Sequence, residues 1–157
     1  GEEDVVLDVY CGAGSISLYL ADKCRKVVGI EVVEKAIKDA KENAVINDIS
    51  NVEFRCGRAE DEMSAIVEDG IKADVVILDP PRMGCDRSVL ESVASIRPER
   101  IVYVSCAPET LARDVKVLIQ KGYKLAEVQP VDMFPGTAHV ETVALLSKSN
   151  SVQEITN

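Results

Sequence analysis

The chain has 157 residues, 18 of them basic and 27 acidic, for a formal net charge of −9, with 46% hydrophobic and 29% charged residues. That size and apolar content describe one globular domain with a single core, and no run approaches the ~20 apolar residues of a membrane span. The acidity disfavours unaided binding to a polyanion, because neutralising phosphates takes clustered Lys and Arg.

Five cysteines, Cys11, Cys24, Cys56, Cys85 and Cys106, are an odd number and too widely spaced for a Cys-x-x-Cys metal site. Neither a disulfide framework nor a metal centre is expected from them. With no signal peptide or lipidation motif in view, the reducing cytoplasm is the expected compartment. Gly1-Glu2-Glu3-Asp4 leads straight into apolar sequence, as in a domain taken from a longer chain.

In chain order, Val5 to Tyr10 and Lys26 to Glu31 read as the first two strands. After Glu31, apolar residues at Val33, Ala36, Ile37, Ala40 and Ala44 follow the i, i+3, i+4, i+7, i+11 stripe of a helix packed on one side. Asn51 to Cys56 and Ala73 to Asp79 are the third and fourth strands, and Ser88 with Glu91 has capping-box spacing at a helix start. Arg100 to Cys106 is the fifth strand. Pro108 then suits a first helical turn before the stripe Leu111, Val115, Leu118 and Ile119. Five such alternations predict an α/β fold, a doubly wound parallel sheet covered on both faces.

The rhythm breaks at the end. Tyr123 to Met133 and His139 to Leu146 are strand-like runs separated only by the Pro-Gly turn Phe134-Pro135-Gly136-Thr137, so the last pair is antiparallel. The whole resembles the Rossmann-like, seven-stranded sheet of class I methyltransferases, whose reversed last strand inserts beside the fifth. Residues 1–148 form the expected domain; 149–157 are a polar tail expected to fray.

Asp8-Val9-Tyr10-Cys11-Gly12-Ala13-Gly14-Ser15 lies where the first strand turns into the first helix. Glycines there let backbone approach a ligand, and the helix start offers unpaired N–H groups. A dinucleotide fingerprint wants a small residue three places after Gly14; Ser17 fills that place poorly, yet NAD stays open. Glu31, ending the second strand, is placed to accept from ribose hydroxyls, and equally reads as a surface acid at a helix start.

Taken together with Glu31, the stretches Asp8 to Gly14, Asp79-Pro80-Pro81-Arg82-Met83-Gly84, Ser105-Cys106 with Thr110-Leu111-Ala112-Arg113-Asp114, and His139-Val140-Glu141-Thr142-Val143 resemble the RNA uracil-5 methyltransferases. The resemblance implies S-adenosylmethionine as cofactor and RNA as substrate, 23S ribosomal RNA ahead of transfer RNA. It implies that Tyr10, Gly12, Gly14 and Ser15 line the cofactor and that Asp79 holds it. In relatives a β-barrel RNA-binding module, sometimes with a cysteine-bound iron–sulfur cluster, lies upstream. No metal is expected in this domain.

Carbon 5 of uracil is a poor nucleophile, so the chemistry needs a thiolate to add at carbon 6, a base to remove the carbon 5 proton, and groups that hold the ring. Cys106 suits the first role from its position alone, between the fifth strand and a helix start that stabilises a thiolate. Cys24, Cys56 and Cys85 read as small buried hydrophobes, and Cys11 as packing under the glycine loop. Glu141 suits the second role because an antiparallel last strand begins at the edge where the parallel strands end, which predicts that it meets Cys106. Asp79 ends the fourth strand, at the crevice where such sheets bind ligands, and equally could cap the next turn. Arg82 reads as a phosphate or base contact or as a solvated charge. His139 reads as a hydrogen-bonded residue at a strand start.

Alternatives stand beside this reading. Amine methyltransferases end their Asp-Pro-Pro motif in an aromatic residue that stacks on a flipped base, where this chain has Arg82. RNA cytosine-5 enzymes carry a second cysteine after the fourth-strand proline, a place also held by Arg82. A small-molecule methyltransferase needs neither Cys106 nor Glu141. Finally, the domain alone would bind cofactor without turnover if RNA recognition lies upstream.

Overall fold

The computed structural model describes residues 1–133, 135–137 and 140–149. His139 and most of the expected tail lie outside the described residues. The strands are β1 (Val5–Val9), β2 (Lys26–Glu31), β3 (Val52–Cys56), β4 (Val75–Leu78), β5 (Arg100–Ser105), β6 (Tyr123–Val131) and β7 (Glu141–Lys148). The helices are α1 (Ser15–Leu20), α2 (Glu34–Ile46), α3 (Ala59–Glu68), α4 (Arg87–Ile96) and α5 (Pro108–Gln120), with a short 3₁₀ turn at Ala21–Lys23.

The strands form one seven-stranded sheet in the order β3-β2-β1-β4-β5-β7-β6. β1 to β5 run parallel, and β7 runs antiparallel between β5 and β6. The order reverses at β1, so the crevice of a doubly wound sheet falls at the carboxyl ends of β1 and β4.

Every residue of β1 is buried, as a central parallel strand requires. On one face Leu7, Val9, Val76, Leu78, Ile101 and Tyr103 pack with Met63 and Ile66 of α3, Val89, Leu90 and Val93 of α4, and Leu111, Val115 and Leu118 of α5. On the other, Val6, Val27 and Ile77 meet Ile16 and Leu20, while Ile37, Ala40 and Ala44 of α2 close on Phe54. An apolar trough of about 740 Å³ runs along this second face, past Val102 and Val104. β6 is a solvated edge strand, exposed along most of its length, which is where Pro130 is tolerated.

Several local expectations are corrected. The α4 cap is Asp86, whose carboxylate accepts from Ser88 N (2.9 Å); Glu91 pairs with Arg87 Nε (3.1 Å), so Ser88 and Glu91 do not form a capping box. Asp86 takes the capping role because its backbone is extended (φ −63°, ψ 150°) one residue before the helix, whereas Ser88 already lies inside it. Cys56 is exposed and Cys24 intermediate; only Cys11 and Cys85 are buried. The last strands end at Val131 and begin at Glu141, each two residues inside the expected run.

Candidate functional site at the carboxyl edge of the sheet

The chain leaves β1 at Tyr10 with φ +71°, uncommon for a bulky residue. It is held there because both Tyr10 N and Cys11 N donate to Ile30 O at 2.9 Å. Gly12 follows at φ +55° with open space where a Cβ would stand. Gly14 (φ +82°) has none: a Cβ there would lie 2.8 Å from the Phe54 ring and 3.1 Å from Ala40. Glu31 binds this turn from the neighbouring strand, its two oxygens accepting from Gly12 N (3.2 Å) and Val33 N (2.9 Å). A carboxylate has about four acceptor positions, so capacity remains for a ligand.

Over these turns lies a cavity of about 570 Å³, lined among others by Tyr10, Glu31, Arg58, Glu60, Asp79 and Pro81. That volume lies within the range of small-molecule sites. Beneath it Asp8 is fully buried. One carboxylate oxygen accepts from the Ser17 hydroxyl (2.6 Å); the other has no partner among the described residues. Burial pushes the Asp8 carboxyl up to about 6 against the lowering effect of Ser17, and Asp79 adds to the rise. Ser17, a poor match to a dinucleotide fingerprint, has instead become the packing and hydrogen-bonding partner of this acid.

Across the crevice, Asp79 follows β4 and Cys106 follows β5. Burial raises the Asp79 carboxyl, and the charge of Glu141 raises it further, which places Glu141 over the same edge. The β5–β7 register pairs Ser105 with Thr142; continued one step, it sets Cys106 opposite Glu141. Residues opposed across an antiparallel pair lie on one face, with Cβ atoms about 5 Å apart. Cys106 itself is partly buried. It is held between Ser105, whose hydroxyl accepts from Ala107 N (3.0 Å) and donates to Ala107 O (3.1 Å), and the α5 start at Pro108.

Asp8, Asp79 and Glu141 thus form a line of acids in which each feels the next. Such a line, with one unpartnered buried oxygen, is complementary to a small ligand bearing positive charge. No group of three His, Cys, Asp or Glu among the described residues is placed to hold a metal ion. No helix among them is long and apolar enough to cross a membrane.

Tyr10, Glu31 and Asp79 line the cavity, and Gly12 and Gly14 shape its turn. Ser15 does not join them. The αL turn at Gly14 directs the first residue of α1 to the opposite face, where Ser15 lines the apolar trough. Sequence reasoning missed Val32, Gly57, Arg58 and Glu60, which reach the cavity from the turns after β2 and β3. Their signal was position: Val32 and Gly57 directly follow the ends of β2 and β3, Arg58 is the next residue, and Glu60 stands in the first turn of α3. Asp114, which the sequence offers only as part of the motif after Cys106, is an acid buried within α5.

Among solved structures, the fold resembles the tRNA (uracil-54, C5)-methyltransferase of Pyrococcus abyssi, a complex with S-adenosyl-L-homocysteine. The TM-score is 0.79 at 41% identity, over 93% of this chain and 34% of that one. An rRNA methylase of Streptococcus thermophilus shares the fold at 18% identity, with a TM-score of 0.75 over 95% of this chain and 89% of its own. The architecture is that of a class I methyltransferase. The profile of the tRNA (uracil-5-)-methyltransferases matches residues 1–149, and the chain belongs to that family. Curated relatives include uncharacterized RNA methyltransferases of Oceanobacillus iheyensis, 57% identical over 146 residues, and of Clostridium tetani, 54% identical over 145. The matches cover 93% and 92% of this chain and 32% of each relative, so the chain spans about a third of their length.

Proposed function

We propose that this domain catalyses transfer of a methyl group from S-adenosylmethionine to carbon 5 of uracil in RNA. The observation that supports the reading is the β5–β7 register, which ends at Ser105 and Thr142 and, continued one step, brings Cys106 opposite Glu141, whose charge acts on the cavity-lining Asp79.

S-adenosylmethionine, when bound, supplies an electrophilic methyl on a sulfonium centre. The cavity suits it: Glu31 keeps acceptor capacity for ribose hydroxyls, Tyr10 and the Gly12 turn offer a wall and close backbone, and the acids beneath complement its cationic amine and sulfonium. Cys106, as thiolate, adds to carbon 6 of the uracil, and the ring electrons make carbon 5 nucleophilic. Asp79 holds the ring or cofactor at the edge. Once carbon 5 carries the methyl group, Glu141 accepts the proton from carbon 5; the electrons of that C–H bond form the 5,6 double bond and the Cys106 sulfur leaves carbon 6.

The test uses the whole protein of which this domain is part. Cys106→Ala is expected to keep cofactor binding and make no 5-methyluridine in a nucleoside digest; undiminished methylation would refute the nucleophile. Glu141→Gln is expected to methylate and then stall, leaving a protein–RNA adduct that survives denaturing electrophoresis, whereas clean turnover would remove Glu141 from the mechanism. Deleting the gene and comparing nucleosides of ribosomal and transfer RNA identifies the substrate, for which ribosomal RNA was the expectation.

A further inference from the structure

Asp114 is 1% exposed, in the second turn of a helix whose other face is solvated. A buried acid costs folding energy unless its oxygens are bonded. Here they are, by donors from three separate segments. Cys85 N, in the loop after β4, donates to Oδ2 at 2.8 Å, and the Tyr103 hydroxyl on β5 donates to the same oxygen at 2.6 Å. Arg113 Nε donates to Oδ1 at 2.8 Å.

Arg113 extends the connection. Its Nη2 donates to Met83 O (2.9 Å) and Cys85 O (3.3 Å), while the Thr110 hydroxyl donates to Arg82 O (3.1 Å). With Gly84 N closing a turn onto Pro81 O (2.8 Å), the carbonyls of Pro81, Arg82, Met83 and Cys85 are all engaged. Gly84 is obligatory: at φ +77°, a Cβ would stand 2.5 Å from Asp114 Oδ2 and 2.6 Å from Arg113 Nη2.

We infer that Asp114 and Arg113 are positioning residues which lock the loop following Asp79 onto the helix following Cys106, setting the spacing between the cofactor cavity and the thiol. The inference rests on the proposed uracil methylation. The lock joins the two segments that must hold ring and nucleophile in one geometry, and neither residue needs to touch the ring. An enzyme that requires two groups at a fixed separation loses rate steeply when one drifts by about an ångström, by up to about a hundredfold.

Arg113→Lys keeps a cation beside Asp114 yet cannot span Asp114, Met83 and Cys85 together, and Asp114→Asn keeps size while weakening three bonds. Both are made in the whole protein. Each is expected to lower kcat for RNA methylation about tenfold to a hundredfold, with KM for S-adenosylmethionine changed less than about twofold. Hydrogen exchange at the Cys85 amide is expected to speed up in both. Tyr123→Phe is the control, since it deletes a buried bond to Pro98 O (3.0 Å) far from the edge; it is expected to lower the melting temperature and leave kcat unchanged well below it. Wild-type kcat in Arg113→Lys, whether or not Asp114→Asn folds, overturns the lock. So does a loss that only tracks the unfolded fraction, as in the control. If the unaltered protein methylates no uracil, the functional reading falls; if it does and the variants keep pace with it, only the lock falls.

Discussion

The two halves of the carboxyl edge are built from different materials. On the β1–β2 side the chain itself makes the cradle: positive φ at Tyr10, Gly12 and Gly14, two amides on one carbonyl, and Glu31 bracing two backbone N–H groups. On the β4–β5–β7 side the turns are held by side chains, Asp114, Arg113, Thr110 and Ser105, and the groups proposed to react, Cys106 and Glu141, are side chains too. The contrast follows from the two tasks. A polyfunctional small molecule is held by close approach, which needs bare backbone, whereas bond making at one carbon atom needs a thiol and an acid at a set separation.

If that contrast holds, one methyl group should break the first half and leave the second alone. Gly14→Ala places a Cβ against Phe54 and Ala40 in a left-handed conformation. It is expected to cost about 2–4 kcal/mol of stability, from the backbone and overpacking together, measured by urea unfolding. A loss below about 0.5 kcal/mol would mean that the cradle is not rigid.

The acid under the cradle gives the next effect. Its folded value of about 6 stands above the usual 3.8, so the native state binds the proton more tightly than the unfolded chain. Stability assigned to it is therefore full at low pH and lost as pH rises from about 4 to about 6. In cofactor-free protein, Asp8→Asn removes that loss, and its stability relative to wild type should move in its favour by up to about 3 kcal/mol between pH 4 and 7. Parallel pH curves for the two proteins would show that the acid is ordinary.

Glu31→Ala, which leaves the Gly12 and Val33 amides unbonded, is expected to cost about 1–2 kcal/mol and to weaken S-adenosylmethionine binding at least about tenfold by titration calorimetry. Smallest is Ser105→Ala. Loss of its two bonds to Ala107 is expected to cost about 1 kcal/mol in stability, while cofactor affinity stays unchanged; a fall in affinity would join the two halves more closely than their construction indicates.

Much of the architecture was legible because it rests on local periodicity. Lys26–Glu31 is the predicted second strand to the residue, and the stripe Ile37, Ala40, Ala44 is the buried face of α2. The reversed last strand followed from a connection too short to cross the sheet. The cap of α4 was misread, because Asp86 and Ser88 are both good caps and only the backbone decides between them. Where Ser15 lies was not legible for a related reason: the αL residue Gly14 turns the chain just before it, and Ser15 lines the apolar trough. Asp114 stands in the motif after Cys106, but what it does there was not legible, since its partners come from 11 and 29 residues away.

By itself, then, the amino-acid order determined which segments are strands and helices, their parallel sense, and the chemical kinds of group that end each strand, because these depend on spacing along the chain. The sequence predicts that Glu141 meets Cys106; the register between their strands and the other meetings were decided by the tertiary structure alone. The β5–β7 register, the acids sharing one field and the clamp on Asp114 are contacts between remote segments, and their geometry depends on how the sheet and helices pack rather than on any local preference.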